Sequence, residues 1–261
     1  MYISKFEWFE LGTESSSNLS SEELDLLSKD HFVDFCGHKV NWTNSDDGWN
    51  ESRRIQYTKY ISMAKNQMKM QPKRTEFGYK TAKIPLELYQ LILAQKSETS
   101  EVEGCITINL NCESWNDDRG TFLSRNNTRI FSFASDTLIK EGLNEYLKPK
   151  LEEFSGLTLN DVGFYGIRRY LNGACLWTHV DRLPTHQISA ILQIDQKIKE
   201  DWPLLLVDHK GQNVQIMLKP GEMLLYESAV VPHGRPIKLN GDFYDNLLVF
   251  SQPVKKYNAE L

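Results

Sequence analysis

The sequence predicts an α+β protein, with helices and some supporting strands first and an all-β core, a barrel or a sandwich, after them. Two observations predict it. Apolar residues recur at helical spacing in segments ahead of Gly156, and from about Gly163 the chain turns to short runs rich in Val, Ile, Tyr and Phe, separated by Gly, Pro, Asp and Asn. The length of 261 residues and the 40% hydrophobic content allow a sizeable core, as one large domain or a domain with an extension.

In chain order, "LSSEELDLLSKDHF" has a serine at a possible cap, acids in its first turn and leucines at helical spacing, which predicts a short amphipathic helix near 20–29. "NSDDGWNES" reads as a turn, and the basic, proline-broken "KNQMKMQPKRTEFGYK" as a loop. "KIPLELYQLILAQKSE" has an early proline and then Leu86, Leu88, Leu91 and Leu93, a pattern that suits a helix packed on a sheet. A second helix covers "SDTLIKEGLNEYLKPKLEEFSG", ends at Gly156, and is divided or kinked by Pro149. Six strands follow in "GFYGIRRYL", "QISAILQID", "WPLLLVDH", "VQIMLK", "EMLLYESAVV" and "DNLLVFSQP". The expected division is residues 1–155, a helical and mixed region packing on the core, and 156–261, the core itself.

The formal net charge is −5 and the pI about 5.7, with Lys and Arg scattered among the acids. No basic face is evident, so a nucleic-acid partner is not expected. No apolar run reaches the roughly 18 residues of a membrane span, and "MYISKFEWFELGTESSS" lacks the order of a signal peptide, which predicts a cytoplasmic protein with no membrane partner. Cys36, Cys105, Cys112 and Cys175 contain no CxxC pair and read as reduced thiols. The sequons at Asn18 and Asn41 carry no weight without a secretory route.

The chemistry concentrates in "LWTHVDR" and "VVPHGRPIKL". On an extended segment His179 and Asp181 point to one side and Val180 to the other, so two ligands are adjacent by construction. An HxD pair alone is commonly a solvated or capping pair. If His233 comes from a strand facing it in a jelly roll, two imidazoles and a carboxylate fill three corners of a metal and leave others open, the facial triad of non-haem Fe(II) oxygenases. His186 and His209 read as polar strand or turn residues, and Arg182 as a solvated charge, a support for Asp181 or a substrate contact.

The segments "GIRRYLNGACLWTHVD" and "LKPGEMLLYESAVVPHGRPIKLNGDFYDNLLVF" resemble the catalytic core of the 2-oxoglutarate and Fe(II)-dependent oxygenases, in the prolyl 4-hydroxylase-like branch. The resemblance covers about a third of the chain, from Phe164 to about Pro253. It implies a double-stranded β-helix (jelly-roll) core with supporting helices mainly from the N-terminal half. It also implies Fe(II), 2-oxoglutarate and O2 as cofactors, with ascorbate as a candidate reductant, and His179, Asp181 and His233 as metal ligands and catalytic centre. Tyr170 matches the tyrosine that donates to the 2-oxoglutarate carboxylate; taken alone it reads as a core aromatic. The implied activity is hydroxylation of an unactivated C–H bond coupled to oxidative decarboxylation of 2-oxoglutarate to succinate and CO2. The substrate would be a prolyl residue in a peptide first, and a free amino acid or other small molecule second.

Departures from the branch bear on the cosubstrate. Prolyl hydroxylases carry Lys or Arg where this chain has Asp242 and Phe243, so the distal carboxylate needs another cation. Arg235 would share the face of His233 on a regular strand and can grip a carboxylate in a bidentate way; Lys238 is the second choice. "ISAILQID" places Ser189 and Gln193 at positions where the branch has a threonine strand and a tyrosine, and Gln193 is a further 2-oxoglutarate contact. A metal-binding cupin-like protein holding zinc or nickel would share the triad without needing Tyr170 or Arg235.

Overall fold

The structure is a computed structural model that describes residues 64–99 and 128–254. The helix expected near 20–29, the turn at 44–52, the two sequons and three of the four cysteines lie outside the described residues. Cys175 is a buried free thiol. The described elements are α1 (64–70), β1 (Tyr79–Lys83), α2 (Leu86–Thr99), β2 (Thr128–Phe131), α3 (Asp136–Gly142), a π-helical turn (Leu143–Leu147) and α4 (Lys148–Ser155). They continue with β3 (Gly163–Leu171), β4 (Leu176–His179), β5 (Ile188–Ile198), β6 (Leu204–Val207), β7 (Asn213–Ile216), β8 (Glu222–Tyr226), β9 (His233–Arg235) and β10 (Gly241–Ser251).

The strands form a six-stranded sheet, β1-β8-β5-β10-β3-β2, and a four-stranded sheet, β4-β9-β6-β7, antiparallel throughout. From β3 onward the chain passes repeatedly between the two: β3, β5, β8 and β10 lie in the larger sheet and β4, β6, β7 and β9 in the smaller. That alternation is a double-stranded β-helix, the jelly roll. β1 and β2 extend the larger sheet at its two edges.

The central strand β5 explains why its sequence is nearly all apolar. Ile188, Ala190, Leu192 and Ile194 join the cluster beneath the helices, while Ile191 joins the cluster between the sheets. A strand covered on both faces needs apolar residues at both parities.

The helices cover the outer face of the larger sheet. Ile139, Leu143, Leu147 and Leu151 recur every four residues and are fully buried against it, so one helical face continues from α3 through the π turn into α4. The Ser135 hydroxyl caps α3 by accepting from the Leu138 amide at 3.3 Å. Pro149 has no N–H for the ladder, and the widened turn lies just before it; Gly156 at φ 68° ends the helix in the left-handed region. In α2, Leu88 and Ile92 are buried, whereas Leu86 and Leu93 face outward.

One reading of the sequence is corrected. The segment 65–80, expected as a loop, is helical through Met70 and begins β1 at Tyr79, leaving only 71–78 irregular. Its irregular part is fastened by Glu227, which accepts from the Arg74 and Thr75 amides at 2.9 and 2.8 Å and from the Thr75 hydroxyl at 2.7 Å. The edge strands β1 and β2 were also not read from the sequence. Their pattern is half-exposed, and it takes the neighbouring β8 and β3 to fix them.

Candidate active site

Antiparallel pairing of β4 with β9 sets His179 opposite His233. Their rings lie with centroids 4.4 Å apart. Asp181, two residues beyond His179, is held by its backbone: its amide donates to the Ser228 carbonyl at 2.8 Å, and its carbonyl accepts from the Gln67 side chain at 2.8 Å. The same Gln67 amide reaches the Ala229 carbonyl at 2.6 Å, so α1 ties together the two loops that carry the triad.

Asp181 Oδ1 lies 3.5 Å from His179 Nε2 and 3.9 Å from His233 Nε2, and one ligand atom from each of the three residues falls within 4.8 Å of the others. Donors about 2.1 Å from a common ion sit roughly 3 Å apart at adjacent corners, so the carboxylate separations are within about an ångström of closed coordination. His233 Nδ1 faces the Val231 carbonyl at 2.8 Å; since a carbonyl only accepts, the proton is assigned to Nδ1 and the Nε2 lone pair turns to the centre.

Burial pushes the Asp181 carboxyl up, but the hydrogen bond from His179 and the nearby His233 and His179 imidazoles outweigh it and hold the group well below the usual carboxylate range. Burial, reinforced by His179, pulls His233 down to about 4. An ionised carboxylate beside a neutral imidazole is the donor state a divalent metal requires, and the residues present fit such an ion.

Deeper between the sheets lies Arg235, two residues beyond His233 and only 1% exposed. Its guanidinium stacks on the Trp202 and Tyr244 rings at 4.5 and 4.6 Å. It donates to the Trp202 carbonyl, and the Tyr244 hydroxyl lies 3.4 Å away. Among the described residues no carboxylate pairs with it. Tyr170 packs edge-on against Trp202 at 5.1 Å, so Tyr170, Trp202 and Tyr244 form one aromatic wall.

Of the other residues singled out from the sequence, Lys238 is exposed. Gln193 is fully buried, but its amide donates to the Asp195 carbonyl at 2.9 Å and to Gln196 Oε1 at 3.0 Å, and its oxygen accepts from Asn246. Its described side-chain bonds therefore stay within β5 and β10. Ser189 bonds Ser228 at 2.6 Å, and Ser228 donates to the His186 carbonyl at 2.9 Å. His186 stacks on Phe250 at 3.7 Å, and its Nε2 lies 3.2 Å from the Tyr165 hydroxyl. His209, expected as a polar strand or turn residue, lies in the turn after β6 with its side chain turned inward, Nε2 3.1 Å from Glu227 Oε1.

Sequence reasoning missed Tyr226, whose hydroxyl lies 3.4 Å from His233 Nε2, and the aromatic partners Trp202 and Tyr244. Tyr226 alternates with Leu224 toward the space between the sheets, which is the one signal that could have found it. Trp202 precedes β6 and carried none.

No protein-family model matches the chain, and no curated protein matches it in sequence. In structure it is similar to a prolyl-4-hydroxylase from Pseudomonas putida, with 16% identity, 75% of this chain and 100% of that chain covered, and a TM-score of 0.48. It is also similar to an oxidoreductase of the 2OG-Fe(II) oxygenase family from Burkholderia pseudomallei, with 9% identity, 74% and 89% covered, and a TM-score of 0.44. A third is the viral collagen prolyl hydroxylase of Paramecium Bursaria Chlorella virus-1 in its 2OG complex, with 11% identity, 68% and 97% covered, and a TM-score of 0.44.

Proposed function

We propose that the chain is a non-haem Fe(II)- and 2-oxoglutarate-dependent dioxygenase that hydroxylates an unactivated C–H bond. A prolyl residue in a peptide is the first substrate class and a free amino acid the second. The observation that carries this reading is the pairing of three convergent donors, His179, Asp181 and His233, with a buried guanidinium two residues along the same strand.

His179, Asp181 and His233 would hold the iron. Fe(II) held there would activate dioxygen, whose four-electron reduction is met by oxidative decarboxylation of 2-oxoglutarate to succinate and CO2 and by oxidation of the substrate C–H bond, one oxygen atom entering succinate and the other the substrate. Arg235 takes the distal carboxylate of 2-oxoglutarate: a forked cation in an apolar setting gains most from a carboxylate there, because the charge is already out of water. The Tyr170 hydroxyl is the second donor to that carboxylate. Trp202 and Tyr244 hold the guanidinium plane and keep water from the carboxylate. His233, fixed by the Val231 carbonyl, keeps its lone pair on the metal side.

The competing reading is a metal-binding module with the same triad and no cosubstrate. Two variants separate them. Arg235→Met should retain metal and weaken 2-oxoglutarate by about 100-fold, the scale of a charge-assisted bidentate contact. His179→Ala should lose the metal. Both are read by titration calorimetry with Mn(II) and then 2-oxoglutarate, and succinate release with Fe(II) over proline-rich peptides and free amino acids reads the reaction. Equal 2-oxoglutarate affinity in wild type and Arg235→Met sinks the dioxygenase reading.

A further inference from the structure

We propose that Gln67 is a positioning residue of the metal centre: it holds Asp181 where an ion needs it, and thereby couples metal binding to the docking of the segment 64–78 on the core. The proposal rests on the metal triad of the reading above and not on its cosubstrate.

The need for such a residue follows from where the ligands stand. His179 and His233 belong to paired strands, so a ladder fixes them. Asp181 lies two residues past the end of β4, outside any strand. Its amide donates to the Ser228 carbonyl at 2.8 Å, and with that bond alone the Asp181 peptide would swing about it. Gln67 supplies the second hold. Its carboxamide nitrogen carries two hydrogens, and two carbonyls stand within reach, Asp181 at 2.8 Å and Ala229 at 2.6 Å. The opposite orientation of the amide would set its oxygen against two acceptors, so the nitrogen is assigned to this side. A glutamine on a helix is ordinarily solvated, whereas this one spends its donors on the two loops that bring the ligands together.

The residues after β8 join that hold to the rest of the segment. The Val230 and Val231 amides both donate to the Glu227 carbonyl at 2.9 Å, which folds 227–231 into a tight turn. From this turn the Glu227 carboxylate accepts from the Arg74 and Thr75 amides, the Ser228 carbonyl from Asp181 and the Ala229 carbonyl from Gln67, while the Val231 carbonyl faces His233 Nδ1. One turn therefore grips the segment 64–78 at two places and two of the three metal ligands at two others.

The end of the segment is seated as closely. The Glu227 amide donates to the Gly78 carbonyl at 2.9 Å, and a Cβ on Gly78 would come within 2.5 Å of Val231 Cγ2 and 2.9 Å of His209 Nε2. The Lys73 ammonium donates to the His209 carbonyl. Lifting the segment therefore removes donors from the turn and from Asp181 together. Coupling of this kind is reciprocal: if losing the segment weakens the ion, the ion must hold the segment down by the same factor.

The test uses the full chain, stripped with a chelator and titrated with Mn(II). Methionine keeps the reach and the helix preference of glutamine and removes both donors. Gln67→Met should unfold as cooperatively as wild type yet bind Mn(II) about ten-fold more weakly, the low end of what residues that orient metal ligands contribute. The second readout is tryptic cleavage after Lys73 and Arg74, assigned by fragment mass. Saturating Mn(II) should slow it about ten-fold in wild type and leave it unchanged in Gln67→Met, a dependence that a glutamine merely stabilising α1 would not create. If Gln67→Met fails to fold, Glu227→Gln loosens the segment at its other grip without touching Asp181, and should weaken Mn(II) about five-fold. Mn(II) affinity within about two-fold of wild type in the folded variant, or wild-type cleavage at 71–78 that ignores Mn(II), overturns the proposal. Wild type that binds no Mn(II) overturns the triad and the proposal with it, whereas wild type that binds Mn(II) but not 2-oxoglutarate counts against the dioxygenase reading alone.

Discussion

Gly234 rests on the backbone of Thr178: a Cβ at this glycine would come within 2.7 Å of the Thr178 Cα and 2.8 Å of its nitrogen. The contact lies beside the register pair His179 and His233, so a methyl group can be accommodated only by moving β4 away from β9. Gly234→Ala should cost about 1–3 kcal/mol of stability and, because the two imidazoles part, weaken Mn(II) binding by more than ten-fold. Thermal melting and calorimetry read the two effects; full metal affinity in a folded Gly234→Ala protein would contradict the account.

Asp245 carries the most concentrated charge pairing of the described core. Its fully buried carboxylate binds Arg169 through two contacts of 2.7 Å and Lys96 at 2.9 Å, joining β10, β3 and α2. Asp245→Asn removes the charge and leaves two cations without it. Since both keep some access to water, the expected loss is about 2–4 kcal/mol, toward the lower end for a broken buried pair. Urea unfolding measures it, and a change under 1 kcal/mol would show that α2 is held by its apolar face alone.

Much of this arrangement was legible before the structure. The strand from Gly163, the central strand at "QISAILQID" and the helix ended by Gly156 follow from period and punctuation, because each buries a face or needs a left-handed residue. The proximity of His179 and Asp181 follows from parity on one extended segment. Their meeting with His233 came from a resemblance, since no local pattern states which strand faces β4. The wall around Arg235 was not legible at all: Trp202 and Tyr244 come from separate segments, and only packing brings their rings to one guanidinium. His209 was legible as a turn residue, whereas its contact with Glu227 was not, because Glu227 belongs to another strand's end.

The clamp built on Glu227 should release in acid. Burial alone would raise its carboxyl, but the contacts from His209, Thr75 and Arg74 outweigh burial and lower it. A carboxyl lowered in the folded state stabilises above its ordinary value near 4.3 and loses that contribution as pH falls through the folded value. Wild type should therefore lose melting temperature more steeply between about pH 5 and 3 than Glu227→Gln, which starts lower at pH 7. Limited proteolysis within 71–78 should track the loss, and parallel melting curves for the two proteins would refute it.

The metal-free chain should also respond to the imidazole of His233, in an earlier pH window. Its folded value of about 4 lies below the ordinary 6.5, so the unfolded chain takes up a proton that the folded chain refuses. Stability should then fall as pH drops from about 6.5 toward 4, by up to about 1.4 kcal/mol per pH unit and about 3 kcal/mol in all. The physical cause is burial: a 3% exposed ring cannot become charged without either unfolding or finding an anion, and Asp181 at 3.9 Å compensates only in part. A divalent metal should raise stability at pH 7 and steepen its fall toward pH 5, because the bound ion keeps protons off the folded site while the unfolded chain still takes them up. Urea titrations of the chelator-treated protein at pH 7, 6 and 5, with and without Mn(II), measure both. His233→Asn, which cannot titrate, should lose this part of the slope; identical slopes in wild type and His233→Asn would mean that the acid sensitivity resides elsewhere.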